Sequence, residues 1–225
     1  MKSNFTFLVL LLAIFASCKK TNNVDIKLSN SGKLSYKLTD ATGKGLPNVK
    51  ISLFDRQENY SNFGILLDTR LTDFNGQADF GDLNPSNYMI IADSPKVNNV
   101  AYYVQEYVQV TTGTLKLKEV KVTDFSGTFN LTVKSYNTNQ ALKNIGVLII
   151  PANKFNYSLS TTANFKIADF AGLTNDAGSI SLIIPSNKQY VVYLYNSITN
   201  TSYNNNSNVW LQKDGIANSY INLYN

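Results

Sequence analysis

This chain carries the same segment twice, and a doubled unit restricts the fold more than any single motif does. Gly32-Lys33-Leu34-Ser35-Tyr36-Lys37-Leu38 opens one copy, and Gly127-Thr128-Phe129-Asn130-Leu131-Thr132-Val133 opens the other. After a turn in each, Leu46, Asn48, Val49, Ile51 and Leu53 line up with Leu142, Asn144, Ile145, Val147 and Ile149. Leu71-Thr72-Asp73-Phe74-Asn75-Gly76 then matches Leu173-Thr174-Asn175-Asp176-Ala177-Gly178. Twelve residues beyond each glycine stands a tyrosine, Tyr88 or Tyr190, and each opens an apolar run. The period is close to 100 residues, which points to tandem domains, since solenoid repeats run at about 20–50 residues.

Within each copy the elements read as strands. Leu34, Tyr36 and Leu38 alternate with polar residues, as do Val49, Ile51 and Leu53, and Phe129, Leu131 and Val133. Period two with one apolar face is the pattern of a strand half-buried against another sheet. Tyr, Phe, Val, Ile, Thr and Asn are plentiful, while the 12 Gly and 5 Pro fall between the apolar runs. That is the composition of an all-β secreted protein. Asp73-Phe74-Asn75-Gly76 is a tight-turn signal, because Asn and Gly tolerate positive φ. No stretch shows a sustained 3.6-residue apolar period. Ser197 to Asn208, rich in Asn, Ser and Thr, reads as a long loop or an irregular hairpin connection. The expected fold is all-β: two tandem antiparallel β-sandwiches of about seven strands each, residues 26–124 and 125–225, joined near Asp124-Phe125-Ser126.

Leu46-Pro47-Asn48-Val49, Thr72-Asp73-Phe74-Asn75-Gly76 and Leu83-Asn84-Pro85-Ser86-Asn87-Tyr88 together resemble the carboxypeptidase-regulatory-like, or transthyretin-like, family of β-sandwich modules. The first copy carries the match over residues 30–95. The second departs from it, with Lys143 in place of Pro47 and Ala177 in place of Asn75. The resemblance implies a non-catalytic spacer, adhesive module or accessory domain. Some Gram-positive relatives of the fold join a Lys to an Asn beside a buried acid. Here Lys37 or Lys50 would supply the amine, and Asp93 stands where the acid belongs. No Asn lies on the Leu115–Val120 segment to receive it, so no isopeptide is expected.

The N-terminus gives an address. Lys2 precedes an apolar run, Phe5 to Ala16, broken only by Thr6, and Phe15-Ala16-Ser17 leads into Cys18, the single cysteine. A run of about a dozen residues is short for a spanning helix, which needs ~20. Residues 1–17 read as a signal peptide. Phe15-Ala16-Ser17-Cys18 resembles a bacterial lipobox of the loose kind found in Bacteroidota, with Cys18 the acylated (palmitate-bearing) residue and 18–25 a tether. Lys19-Lys20 after the cysteine favours the outer membrane, and the first acid, Asp25, comes late. Whether the protein faces the periplasm or the cell surface is left open by these residues.

Histidine is absent from the 225 residues, which removes Ser-His-Asp and Cys-His catalysis, His-ligated zinc and the usual pH switch. Acylation would consume the one thiol. No Ser lies in a Gly-x-Ser-x-Gly elbow. A hydrolase built on two carboxylates needs a convergent pair, and the acids sit in turn-like or polar strand positions. Asp73, Asn75 and Asp79 echo a calcium loop but lack its terminal bidentate Glu, so they read as a turn. Charge is mild, with 20 Lys and Arg against 15 Asp and Glu, and no basic stripe points to nucleic acid. No catalytic residue, cofactor or metal is expected. Tyr103 and Tyr107, on the opposite face of their segment from Tyr102, and the sole tryptophan, Trp210, are the candidate ligand-facing aromatics. The function these residues suggest is a lipid-anchored, non-catalytic binding, adhesion or structural module of the cell envelope. The alternative is a glycan-binding accessory lipoprotein of a nutrient-uptake system. Its partners would be the membrane, through the lipid, and a protein or glycan ligand.

Overall fold

The computed structural model describes residues 30–55 and 64–224. Cys18, the signal segment and the tether lie outside the described residues. The chain forms β1 (Gly32–Thr39), β2 (Lys50–Asp55), β3 (Leu66–Leu71), β4 (Gln77–Leu83), β5 (Ser86–Ala92), a small hairpin β6 (Lys96–Val97) and β7 (Val100–Ala101), β8 (Val104–Val110) and β9 (Leu115–Lys121). A 3-10 turn, Val122–Asp124, leads into β10 (Ser126–Ser135) and β11 (Ile145–Pro151). Helix α1 (Thr161–Ile167), β12 (Phe170–Leu173), β13 (Ser179–Pro185), β14 (Gln189–Asn196), β15 (Ser202–Trp210) and β16 (Ile216–Leu223) follow.

The halves correspond strand for strand. Sheets β4-β1-β9 and β3-β2-β5-β8 face each other in the first, and β13-β10-β16 and β12-β11-β14-β15 in the second. Each half is thus a seven-stranded sandwich with its own core. Leu34, Tyr36, Leu38, Ile51, Leu53 and Ile90 fill the first, and Phe129, Leu131, Val133, Val147, Ile149 and Val192 fill the second. The period-two pattern is clearest in β10, where buried and half-buried residues alternate along ten positions. One pair in each sandwich runs parallel, β1 with β9 and β10 with β16, and the other pairs between its sheet strands are antiparallel. The last strand of each copy therefore returns beside the first.

Three positions explain why the repeat keeps the residues it does. Asn48 and Asn144 both hold positive φ, 58° and 61°, a conformation open to Asn and Gly but costly for most side chains. Asn also takes most of the other left-handed positions: among the described residues, eight of the ten non-glycine residues with positive φ are asparagine. Thr72 is buried, and its Oγ1 accepts from the Val49 N–H at 2.9 Å and donates to the Leu46 carbonyl at 2.7 Å. Thr174 does the same with Ile145 N–H at 3.0 Å and Leu142 O at 2.6 Å. At Gly76 a Cβ would stand 2.2 Å from the Leu38 carbonyl oxygen, and at Gly178 2.4 Å from that of Val133. Only glycine fits so close an approach.

Two expectations are corrected. Residues 202–208, expected in a loop, belong to β15. The apolar partner β14 sets its register, from Gln189↔Trp210 to Tyr195↔Ser202, so the strand needs little apolar character of its own. The turn before it is closed by Asn196 N–H to Thr201 O at 2.9 Å. Helix α1 was not expected either. It has only seven residues, too few to display a period, and starts from a Ser160 cap whose Oγ accepts from Ala163 N–H at 3.3 Å.

Replacing Thr72 or Thr174 by Val keeps the shape and strands one N–H and one carbonyl, half-buried at Thr72, with the N–H fully buried at Thr174. Each variant is expected to lose about 1–3 kcal/mol in urea unfolding, with Thr→Ser losing less. Equal stability of Thr174→Val and wild type would show that the hydroxyl is not a staple.

Candidate functional site

The outer faces of the two four-stranded sheets have the same origin and different fates. In the second sandwich Leu148, Ile150, Tyr193 and Tyr195 point away from the main core yet are buried, because the segment between β11 and β12 folds over them. Phe155, Ile167 and Ala168 pack on this face, Phe165 meets Tyr195 edge-on at 5.0 Å, and the Thr161 and Tyr193 hydroxyls share a hydrogen bond of 2.8 Å. This makes a third hydrophobic layer.

In the first sandwich the corresponding face is built from rungs across β2, β5 and β8. Register places Phe54, Met89 and Tyr107 on one rung and Ser52, Ile91 and Gln105 on the next. Tyr103, immediately before β8, closes the row. Its hydroxyl donates to Gln105 Oε1 at 2.6 Å, and Gln105 Nε2 donates to Met89 Sδ at 3.1 Å, so the amide holds both neighbours in place. A hollow of about 190 Å³ opens beside Tyr103, lined by Lys50, Ser52, Phe54, Ile91 and Asp93. Lys50 Nζ and Asp93 Oδ2 pair at 3.3 Å on its rim. Among the described residues no helix covers this face, and Tyr107 is 58% exposed.

The structure thus brings Tyr103 and Tyr107 to one surface with Gln105 between them. Tyr102 packs against the core of the same sandwich. Trp210 lies elsewhere, 53% exposed at the end of β15 in the second sandwich, opposite Gln189. Phe54, Met89 and Gln105 complete the site and were not singled out from sequence, whereas Lys50 and Asp93, named there as the amine and acid of an isopeptide, meet here as an ion pair. Only the pairing register across three strands collects them all on one face.

The turn acids and the Lys37 and Tyr36 side chains have structural partners. Asp73 Oδ1 accepts from the N–H groups of Asn75 and Gln77, at 2.9 and 2.8 Å. In the second copy the neutral Asn175 Oδ1 accepts from Ala177 and Ser179 in the same way, both at 3.0 Å. An amide fills the place of the carboxylate, so the geometry is that of a turn. Lys37 pairs with Glu119 at 3.3 Å. Inside the first sandwich Tyr36 donates to Glu106 Oε1 at 2.7 Å, and Lys118 pairs with Glu106 Oε2 at 3.0 Å, linking β1, β8 and β9. Burial, and then the charge of Glu106, push the Tyr36 phenol well above its usual range.

A second polar cluster joins the halves. The Asp169 side chain, 4% exposed, meets Lys188 at 3.0 Å and Lys154 at 3.5 Å, and Tyr190 donates to its Oδ2 at 3.3 Å. Lys188 also donates to the Ala101 carbonyl of the first sandwich at 3.2 Å. Burial, followed by the charge of Asp169, raises the Tyr190 phenol too.

No family model matches this chain, and no curated protein matches it. Among solved structures it is similar to the Bacillus anthracis TIE protein, at 15% identity and a TM-score of 0.40, over 86% of this chain and 34% of that one. It is also similar to the minor pilin GBS52 of Streptococcus agalactiae, at 14% identity and a TM-score of 0.40, over 86% of this chain and 96% of that one. The shaft pilin SpaA from Lactobacillus rhamnosus GG matches at 12% identity and a TM-score of 0.33, over 86% and 97%. This chain thus spans about a third of the length of the TIE protein. No residue role transfers at such similarity.

The buried phenols give stability a definite alkaline limb. Folded Tyr36 and Tyr190 keep their protons while unfolded tyrosines lose theirs near pH 10, so the unfolded state binds fewer protons and stability falls as pH rises through about 10. Urea unfolding at neutral pH and on either side of that value checks this. Tyr36→Phe should be less stable at neutral pH, yet fall less steeply above pH 10, by up to about 1.4 kcal/mol per pH unit. An unchanged slope would mean that the phenol ionises equally in both states.

Proposed function

We propose that this chain is a lipid-anchored, non-catalytic binding module of the cell envelope, held at the outer membrane through Cys18 and carrying two domains, 26–124 and 125–225. The observation that carries the reading is the contrast between the two four-stranded sheets. One outer face is packed under its own chain, and the other presents Tyr103, Tyr107 and a polar-rimmed hollow. Large aromatics displayed on a sheet face are characteristic of recognition surfaces. The absence of histidine and the engagement of Glu106, Glu119, Asp93 and Asp169 in ion pairs support a role without catalysis. Exposed aromatics beside amide and hydroxyl groups favour a second, narrower reading, a glycan-binding accessory lipoprotein of a nutrient-uptake system.

The test is membrane fractionation and protease treatment of intact cells, with a Cys18→Ala strain beside the wild type. Cys18→Ala is expected to release the protein from the membrane fraction. Digestion of the wild type on whole cells would place it on the surface, and protection would place it on the periplasmic side. Retention of Cys18→Ala in the membrane would sink the lipid-anchor reading.

A further inference from the structure

We propose that the outer face of the sheet β13-β10-β16 is a carbohydrate-binding platform centred on Tyr220, an inference that rests on the reading of the chain as a binding module. In β10 and β16 the even-numbered side chains turn away from the core. Register then sets Thr132 beside Tyr220, Asn130 beside Asn218, and Lys134 beside Asn222. On the other side of β10, Thr132 faces Ser179 and Asn130 faces Ser181. Tyr136 and Tyr224 extend the row past the strand ends, with ring centroids 4.2 Å apart and planes inclined at 33°. Tyr220 is 78% exposed, Tyr224 72% and Tyr136 56%. Three tyrosines thus stand on one face of one sheet.

Such exposure gives these rings no part in the core, and a free edge strand is normally blunted with charge rather than dressed with aromatics. The groups between the rings suit sugar hydroxyls. Asn130 Nδ2 donates to Asn218 Oδ1 at 3.0 Å, which orients both amides and leaves each with donor or acceptor capacity to spare. The Thr132 and Ser179 hydroxyls pair at 3.1 Å and border a hollow of about 290 Å³ that also takes in Asn175 and Ser181. Tyr220 and Tyr224 are four residues apart, about 13 Å along an extended strand, so one oligosaccharide can lie across both. The outward positions of β10, β13 and β16 hold no carboxylate and a single cation, Lys134. One lysine is too little for a polyphosphate backbone, and an uncharged hydrogen-bonding ladder flanked by rings matches a neutral glycan.

The experiment uses the full chain purified in detergent. It measures retardation in gels containing xyloglucan, amylopectin or mannan, each a neutral glycan. At least one of these is expected to bind the wild type. Tyr220→Ala and Tyr224→Ala should each weaken that binding about tenfold, Tyr220→Trp should retain it, and Phe74→Ala, which removes an exposed ring from a turn of the first sandwich, should leave it unchanged. Circular dichroism confirms that the variants are folded. Failure of all three glycans to bind overturns the proposal, as does wild-type binding by Tyr220→Ala. Loss of binding in Tyr107→Ala alone moves the site to the first sandwich and overturns it equally. Self-association abolished by Tyr220→Ala would make the face an interface between copies. None of these outcomes touches the anchoring reading, which fails or stands on the fate of Cys18→Ala in cells.

Discussion

One threonine hydroxyl in each sandwich caps the ladder between two paired strands, adding side-chain bonds where the backbone pairing ends. Thr72 and Thr174 sit where β3 and β12 end, and reach back to the backbone ahead of β2 and β11. Because each hydroxyl both accepts and donates, neither its N–H partner nor its carbonyl partner is left unpaired in the interior. The same corner needs an Asn at positive φ one residue before the bonded N–H, and a glycine packed against the carbonyl of the first strand. Core positions tolerate exchange among apolar residues of similar volume, but these three positions each make a demand that few side chains meet. That is why Leu34 can become Phe129 between the copies while Asn, Thr and Gly recur in place.

The corner made the architecture readable. Asn48/Asn144, Thr72/Thr174 and Gly76/Gly178 mark the copies, and alternation in β1, β2 and β10 marks the faces, so two sandwiches of seven strands follow from local pattern. What local pattern does not carry is pairing. The parallel return of β9 beside β1 joins residues some 80 positions apart, as Thr39 Oγ1 donating to Val120 O illustrates, and nothing within either strand declares its direction. β15 is polar because its ladder with Tyr190, Val192 and Tyr193 carries it. The candidate surface divides likewise. Tyr103 and Tyr107 share a face by simple alternation, whereas Lys50, Phe54, Met89 and Asp93 join them only through register across β2, β5 and β8. Tyr220 and Tyr224 do alternate with inward Ile221 and Leu223, but the match to Tyr136 requires knowing that β16 lies beside β10.

From one scaffold the two copies have drawn different interiors. The Tyr36–Glu106–Lys118 group of the first corresponds, by the same pairings, to Leu131, Ser207 and Ser219 in the second. The first copy holds a charge pair close to its core, where removing one partner leaves the other poorly solvated. The second has replaced it with small and apolar residues and gains its extra packing outside, from Phe155, Phe165 and Tyr195 under α1. That layer covers Tyr193 and Tyr195 of the four-stranded sheet in the second sandwich, while Tyr220 stands exposed on its three-stranded sheet. In the first sandwich the exposed Tyr107 is on the four-stranded sheet.

Such a division of surfaces is useful only if the joint between the halves holds, and its chemistry is suited to that. Phe125 is buried with the first core, yet its carbonyl accepts from Ser186 N–H at 2.9 Å, and Lys213 lies over its ring at 5.2 Å. The linker is thereby pinned to both sides within one residue. Beside it, Asp169 is neutralised by cations of its own sandwich, and Lys188 crosses to a neutral carbonyl at Ala101. Lys188 already has its counter-ion in Asp169 where it reaches across, so this contact sets no unpaired ammonium against the first sandwich. A hydrogen bond from a charged donor is worth about 1.5–3 kcal/mol, and here that strength is directed at one oxygen across the boundary. Directional bonds at Phe125 and Ala101 thus tie the two halves together.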